Sequence, residues 1–157
     1  MKKLTAGSVA VGAIVLCKLA LKAGFVAAIF GSVSYANTEY EMSVDHVKQD
    51  CAHFTAEKRG QLINQGLVFQ NATVDEANKA IVYEYTMDGI NSAALNRVSS
   101  DALKDAAKQD KAYSVDGLKK ETDFRTLFHH GWTVEYRYLT TDGTVAEDYR
   151  VTQADFL

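Results

Sequence analysis

The last 26 residues constrain the fold of this chain more tightly than any other segment. Apolar and polar residues alternate on both sides of residues 141–144, as they do in strands that bury one face. The intervening sequence Thr-Asp-Gly-Thr favours a β-hairpin in which Asp142 and Gly143 form a two-residue loop. We therefore predict a β-hairpin at the end of the chain.

This loop fixes which residues of the two strands lie opposite each other. It pairs apolar or aromatic residues on one face and opposite charges on the other: Val134 with Val151, Tyr136 with Tyr149, Glu135 with Arg150, and Arg137 with Asp148. A shift of one residue would lose all four matches. We predict that one face packs on the core and that the charged pairs face water; the core face carries Trp132, Val134, Tyr136 and Tyr149.

Upstream of the hairpin, a helix is predicted from the Ser43 cap to about Gly66. Its apolar stripe comprises Val44, Val47, Cys51, Phe54 and Leu62. Strands are predicted at 67–70 and 80–87, joined by a polar turn over 71–79. In the second strand, one face carries Ile81, Tyr83, Tyr85 and Met87.

Two further helical segments precede the hairpin. The composition of residues 90–111 predicts a surface helix, capped by Ser99 or Ser100. The helical pattern is interrupted at residues 113–117. A last helix is predicted from 118 to 130, with Gly131 as its C-cap and a core face of Leu118, Phe124, Leu127 and Phe128. The sequence thus predicts a single α+β domain over 43–157: a four-stranded antiparallel sheet of two hairpins, with about three helices packed on one face.

Residues 1–36 differ in composition from the rest of the chain. They contain four lysines and no acid, two apolar runs, and the sequence Ser34-Tyr35-Ala36, which suits signal peptidase. We predict a signal peptide over 1–36 and a linker over 37–42, which places the domain in the periplasm or outside the cell. In the alternative, the two runs join across Lys18 and Lys22 into an uncleaved inner-membrane anchor facing the periplasm.

Cysteine usage and charge narrow the options further. Leu16 before Cys17 does not suit a lipoprotein, and cleavage would leave Cys51 without a disulfide partner. After position 36 the acidic residues exceed the basic ones by seven. That excess disfavours nucleic acid and anionic lipid as partners. We predict another envelope or secreted protein as the partner, and membrane contact only through 1–36 if that segment stays uncleaved.

Few residues suggest chemistry. His46 with Asp50, and His53 with Glu57, are spaced i, i+4, which fits a metal site but also an ordinary solvated helix face. Cys51 with His46 or His53 could be a thiol nucleophile, but Cys51 lies on the apolar stripe. We therefore predict no enzyme and no catalytic, cofactor-binding or metal-ligating residue.

Two other sets of residues have structural interpretations. His129 and His130 can cap the end of a helix. A set of five tyrosines can form either a binding surface or part of the core: Tyr83, Tyr85, Tyr136, Tyr138 and Tyr149.

The order of elements from about Ala52 to Phe156 resembles that of the AspS-like class of type II secretion pilotins. A helix leads into a glycine, two tyrosines spaced i, i+2 and an Asp-Gly turn: Phe124 to His130, Gly131, Tyr136, Tyr138, then Asp142-Gly143. The family joins its last helix to its last strand by a disulfide, and Lys119 and Phe156 stand near those places here.

The resemblance implies a non-enzymatic periplasmic binding or assembly-accessory protein, a pilotin-like helper of an envelope or secretion machine. The alternative is a periplasmic immunity or inhibitor protein against a toxin or lysozyme-like enzyme, because an acidic domain attracts basic enzymes.

Overall fold

A computed structural model describes residues 43–64, 66–120 and 122–156. The predicted signal segment 1–36 and linker 37–42 lie outside them. The helices are α1 (Val44–Lys58), α2 (Ser92–Leu95), α3 (Ser100–Leu118) and α4 (Thr122–His129). The strands are β1 (Leu62–Asn64), β2 (Leu67–Asp75), β3 (Ala80–Met87), β4 (Thr133–Leu139) and β5 (Val145–Val151), followed by a 3-10 turn, Gln153–Phe156. None of the described helices is long and apolar enough to cross a bilayer.

The α+β class is confirmed, but the predicted sheet is wrong in two respects. Among the described residues the sheet has five strands in the order β1-β2-β3-β4-β5, and β3 pairs with β4 in parallel. Three helices separate these two strands, and such a crossover returns the chain to the same end of the sheet. The remaining neighbours are antiparallel.

Helix α1 ends eight residues before the predicted limit at Gly66. Its Ser43 cap is confirmed, since the hydroxyl accepts a hydrogen bond from the backbone N–H of His46. At the other end Gly60 has a φ of +79°, which turns the chain back towards β2, where its N–H donates to Phe69 O. Leu62 consequently leaves the predicted core stripe and is 61% exposed on β1.

Other strands and helices also end at residues that differ from the predicted ones. Strand β2 runs five residues past its predicted end at 70, so the turn over 71–79 shrinks to a few residues. The predicted break at 113–117 is absent, because α3 continues through it to Leu118 with Val115 buried. The Ser99 cap is confirmed. The prediction of one helix over 118–130 is wrong at its start, because Leu118 ends α3 and the last helix, α4, begins at Thr122. The predicted core-face residues are nevertheless buried: Leu118, Phe124, Leu127 and Phe128.

The predicted register of the C-terminal hairpin is confirmed from Val134 to Arg137, with the four pairs as expected. The prediction of a two-residue loop is wrong. Thr140 pairs with Thr144, so the loop has three residues and ends at Gly143, whose φ is +81°. Ala146 is the extra residue of a bulge in β5, since Leu139 pairs with Val145 and Tyr138 with Glu147. The bulge restores the predicted register.

The core lies between one face of the sheet and the helices. Phe54 of α1 packs edge-on against Phe69 and Tyr83, and Ser114 of α3 hydrogen-bonds Tyr149. Both helices therefore pack on the tyrosine-bearing face. Tyr83 stacks on Tyr136 across the parallel pair, and buried Trp132 precedes β4.

Candidate functional site

A groove of about 570 Å³ lies between α1 and the outer edge of β2. One wall is helical and includes Lys48, Ala52, Thr55, Ala56 and Arg59. The other wall is the strand segment 71–74. Three contacts place α1 along this edge and antiparallel to β2: Lys48 with Glu76, Thr55 with Ala72, and Arg59 with Gln70.

The groove exists because β1 is too short to cover the whole edge of β2. Strand β1 pairs only with Leu67 and Val68, and the residues just before it reach Phe69. From Asn71 onward β2 has a strand neighbour on the β3 side only, among the residues described. An uncovered strand edge presents backbone donors and acceptors to an incoming chain.

Thr55 partly closes this edge. Its hydroxyl accepts a hydrogen bond from Ala72 N–H at 2.8 Å, and lies 3.2 Å from Ala72 O, to which it can donate. Antiparallel pairing directs the backbone of alternate residues to alternate sides. The backbone N–H and C=O of Ala72 point away from β3, towards Thr55. Those of Val74, two residues further along the strand, therefore point away from β3 as well.

The charged side chains of the groove wall are both cationic. Lys48 lies at one end of the lining and Arg59 at the other, with small alanine side chains between them. Arg59 donates its Nε–H to Gln70 O, which leaves the terminal amino groups of the guanidinium for another acceptor. Glu76 pairs with Lys48, but both side chains are exposed, at 61% and 42%. The lining is thus basic on a chain whose formal net charge is −3.

Cys51, which its neighbouring histidines suggested as a nucleophile, is buried beside the groove. It is 1% exposed, and burial first and the charge of Asp50 second raise the pKa of its thiol to about 12. At neutral pH the thiol therefore remains protonated, and a protonated thiol is a poor nucleophile.

The histidine pairs are ordinary helix-face contacts. His46 Nε2 lies 3.5 Å from Asp50, and His53 Nε2 lies 3.1 Å from Glu57 on an exposed part of α1. Within the part of the chain that the structure describes, no three His, Cys, Asp or Glu side chains converge as a metal site. His129 ends α4, where its ring lies 3.4 Å from the amide of Gln153.

The tyrosines belong to the core rather than to a binding surface. Four of them, Tyr83, Tyr85, Tyr136 and Tyr138, are at most 1% exposed, and burial raises their pKa values far above the usual range. The Tyr149 hydroxyl is 2.8 Å from Ser114 and 3.1 Å from the Tyr138 hydroxyl.

The opposite face of the sheet carries the predicted charges in a different arrangement. Glu135 does meet Arg150, at 2.8 Å, but Arg137 binds Glu135 and Glu84 rather than Asp148. The parallel pairing of β3 with β4 causes this difference, because it places Glu84 beside Arg137. Glu135 is 9% exposed, so the prediction that it faces water is wrong.

A second pocket, of about 320 Å³, lies where α3 and α4 end beside the 3-10 turn. Its wall includes Phe128 and Phe156, with ring centroids 4.6 Å apart. Lys119 Nζ lies 6.0 Å from the Phe156 ring centroid. Lys119 and Phe156, which stand near the places of the pilotin disulfide, therefore meet here as a cation and an aromatic ring.

No family model matches the chain, and no curated protein matches it in sequence. Two solved structures are similar to it. One, from Pseudomonas aeruginosa, is described as a "putative secreted protein"; it is 12% identical, with a TM-score of 0.53 over 79% of this chain and all of that one. The other is the type II secretion pilotin AspS of Vibrio cholerae, 15% identical, with a TM-score of 0.46 over 76% of this chain and 96% of that one. At these identities the likeness concerns the fold alone, and at that level the resemblance to AspS is confirmed.

The groove was missed in the sequence because residues 71–79 were interpreted as a turn. Residues 71–75, Asn-Ala-Thr-Val-Asp, alternate polar and apolar side chains, which is the signal of a strand. Extending the strand through them would have placed Ala72 and Val74 on its core face.

Proposed function

We propose that this chain is a non-enzymatic binding or assembly-accessory protein of the cell envelope, a pilotin-like helper. It binds another envelope or secreted protein through the groove between α1 and β2. The observation that carries this proposal is the uncovered edge of β2 beside a basic helix face. The burial of Cys51 adds support, because it keeps the thiol protonated and so disfavours the hypothesis of a cysteine nucleophile.

A pair of matched variants tests the groove. Ala56→Arg places a long side chain in the groove from an exposed position of α1, and Gln49→Arg places the same side chain on α1 outside the lining. Both positions are exposed, so each variant should change the free energy of unfolding by less than about 0.5 kcal/mol. We expect an envelope protein that co-purifies with the wild type and with Gln49→Arg, identified by mass spectrometry, to be lost from Ala56→Arg.

Equal capture of that protein by both variants, with both folded by circular dichroism, would contradict binding in the groove. A turnover assay that finds substrate consumption abolished by Cys51→Ser in a folded protein would contradict the non-enzymatic role.

The alternative function is an immunity or inhibitor protein. It is favoured by the surplus of seven acidic residues after position 36, since opposite net charge accelerates the association of an acidic domain with a basic enzyme. Inhibition of a lysozyme-like enzyme or toxin at stoichiometric concentration, unaffected by Ala56→Arg, would support the inhibitor and contradict the groove-binding helper.

Export is part of the proposal. We expect residues 1–36 to be removed, so that the mature protein begins near Asn37 and is found in the periplasm or outside the cell. Intact mass and N-terminal sequencing of the protein from its host test this. Recovery of the full 157-residue chain in the membrane fraction would instead establish the anchor.

A further inference from the structure

We infer that the groove between α1 and β2 takes an extended, acidic peptide segment of the partner, and not a helix. This inference rests on the proposed binding function and specifies what the groove recognises. Three features of the groove carry it: the outward-facing backbone groups of Val74, the two cations at its ends, and the small side chains of the helical wall between them.

The backbone of β2 favours an extended occupant. Val74 lies beyond the reach of β1, and its N–H and C=O point away from β3. An extended peptide can pair with such groups, whereas a helix has already used its own backbone donors and acceptors. Ala72 is bonded by Thr55, so the peptide pairs at Val74 without displacing the helix.

The charges of the groove favour an acidic occupant. Lys48 and Arg59 are the charged side chains of the lining, and carboxylates bind both lysine and arginine. The pair of Lys48 with Glu76 is exposed and therefore weak, so a carboxylate of the partner can replace Glu76. Because the chain carries a net negative charge, an acidic segment is repelled elsewhere on its surface, so the two cations confine such a segment to the groove.

The distance between the cations sets the spacing of the acids. Lys48 and the C-cap residue Arg59 are 11 positions apart, which corresponds to ~16 Å along the helix axis. An extended chain rises ~3.3 Å per residue, so its acids should lie about five positions apart. Because side chains alternate between the two faces of a strand, two acids reach the helical wall together when they are four or six positions apart, and not five.

The small side chains of the helical wall fit this arrangement. Ala52 and Ala56 lie between the two cations and project little into the groove. An extended backbone can therefore approach α1 closely between its two charged contacts. A larger side chain at either position would block it.

Fluorescence anisotropy with labelled synthetic peptides tests the inference. Three peptides of alternating Ser and Val carry two Asp residues four, five or six positions apart, and a fourth, Ala-rich helical peptide carries them eleven apart. We expect the four- and six-spaced peptides to bind at least ~10-fold more tightly than the other two, and their binding to weaken with added salt. Every binding measurement uses the whole mature protein.

Charge variants complete the test. Lys48→Glu and Arg59→Glu should each weaken binding of the four- and six-spaced peptides by about 10-fold or more, since each replaces an attraction with a repulsion. Lys48→Gln, which only removes the charge, should have a smaller effect of the same sign. Lys104→Glu, at an exposed position of α3 outside the groove, should leave binding unchanged.

The outcomes separate the two proposals. Preferential binding of the helical peptide, or equal binding at spacings of four and five, would overturn the extended occupant. If no peptide binds while partner capture still depends on Ala56, the groove-binding function stands and the acidic peptide is wrong. If capture is also independent of Ala56, both proposals fail.

Discussion

At the scale of single residues, burial decides what Cys51 can do. The thiol lies on the core side of α1 with its pKa raised to about 12, because the charged thiolate would lose its hydration there. We expect Cys51 in the mature protein to resist labelling by Ellman's reagent at pH 8 and to react fully in 8 M urea. Rapid labelling under native conditions would show that the thiol is accessible and would restore the nucleophile hypothesis.

Hydrogen bonding distinguishes two tyrosines that have similar positions in the sheet. No described residue hydrogen-bonds the buried hydroxyl of Tyr83, whereas that of Tyr149 is 2.8 Å from Ser114. Removing a buried polar group without a partner is nearly neutral or stabilising, and removing a bonded one costs about 0.5–1.5 kcal/mol.

We therefore predict that Tyr83→Phe leaves the free energy of unfolding unchanged or raises it, and that Tyr149→Phe lowers it by about 1 kcal/mol. Urea titrations of the two variants and the wild type measure the difference. A larger loss for Tyr83→Phe than for Tyr149→Phe would contradict this assignment of the hydroxyls.

Among the structural elements, the hairpin of β4 and β5 shows how ion pairs across strands lower the pKa of a carboxyl group. Glu135 accepts hydrogen bonds from Arg150 and Arg137, which hold its pKa below the ordinary value of 4.5. A carboxyl whose pKa is lowered by folding stabilises the folded state above its unfolded pKa. This contribution disappears as the pH falls through the folded pKa.

Glu135→Gln should accordingly lower the free energy of unfolding at pH 7 by about 1 kcal/mol, since the network is partly exposed. At pH 3 the difference from the wild type should be smaller. The measurement is a pair of urea titrations at each pH. A difference that stays constant or grows on acidification would contradict the role of the ionised carboxylate.

The ends of the elements depended on contacts that local patterns do not contain. The apolar stripe of α1 continued past its true end, and Gly60 with the hydrogen bonds to Phe69 decided where the helix stopped. Likewise, the hairpin register was predictable because both faces carry matched pairs, whereas the three-residue loop and the bulge at Ala146 cancel each other in the register. The pairs alone could not reveal them.

At the scale of the whole molecule, the core depends on a few large side chains. Trp132 is 1% exposed and belongs to the core cluster that joins the sheet to the helices. We expect Trp132→Ala to lower the free energy of unfolding by about 3–5 kcal/mol, because it leaves a large cavity. This is a large part of the ~5–15 kcal/mol typical of a domain.

Tyr113 provides a matched control for that substitution, since it is also aromatic but 52% exposed on α3. Tyr113→Ala should change the free energy of unfolding by less than about 0.5 kcal/mol. Thermal and urea unfolding of both variants test the pair. A Trp132→Ala variant as stable as the wild type would contradict the placement of this side chain in the core.

The α+β class, the core face of β3, the buried residues of α4 and the pairing of β4 with β5 could all be predicted from the sequence. Each of these follows from local periodicity or from matched neighbours. Contacts between distant parts of the chain were needed to establish that β3 and β4 are parallel, that Arg137 binds Glu84, and that α1 lies along the edge of β2. These features join residues 11 or more positions apart, and no local pattern indicates which of them meet. The pairing of β3 with β4 depends in addition on how the helices between them return the chain to the sheet. Residues such as Thr55 and Arg59 therefore look like ordinary polar helix positions until the strand beside them is in place.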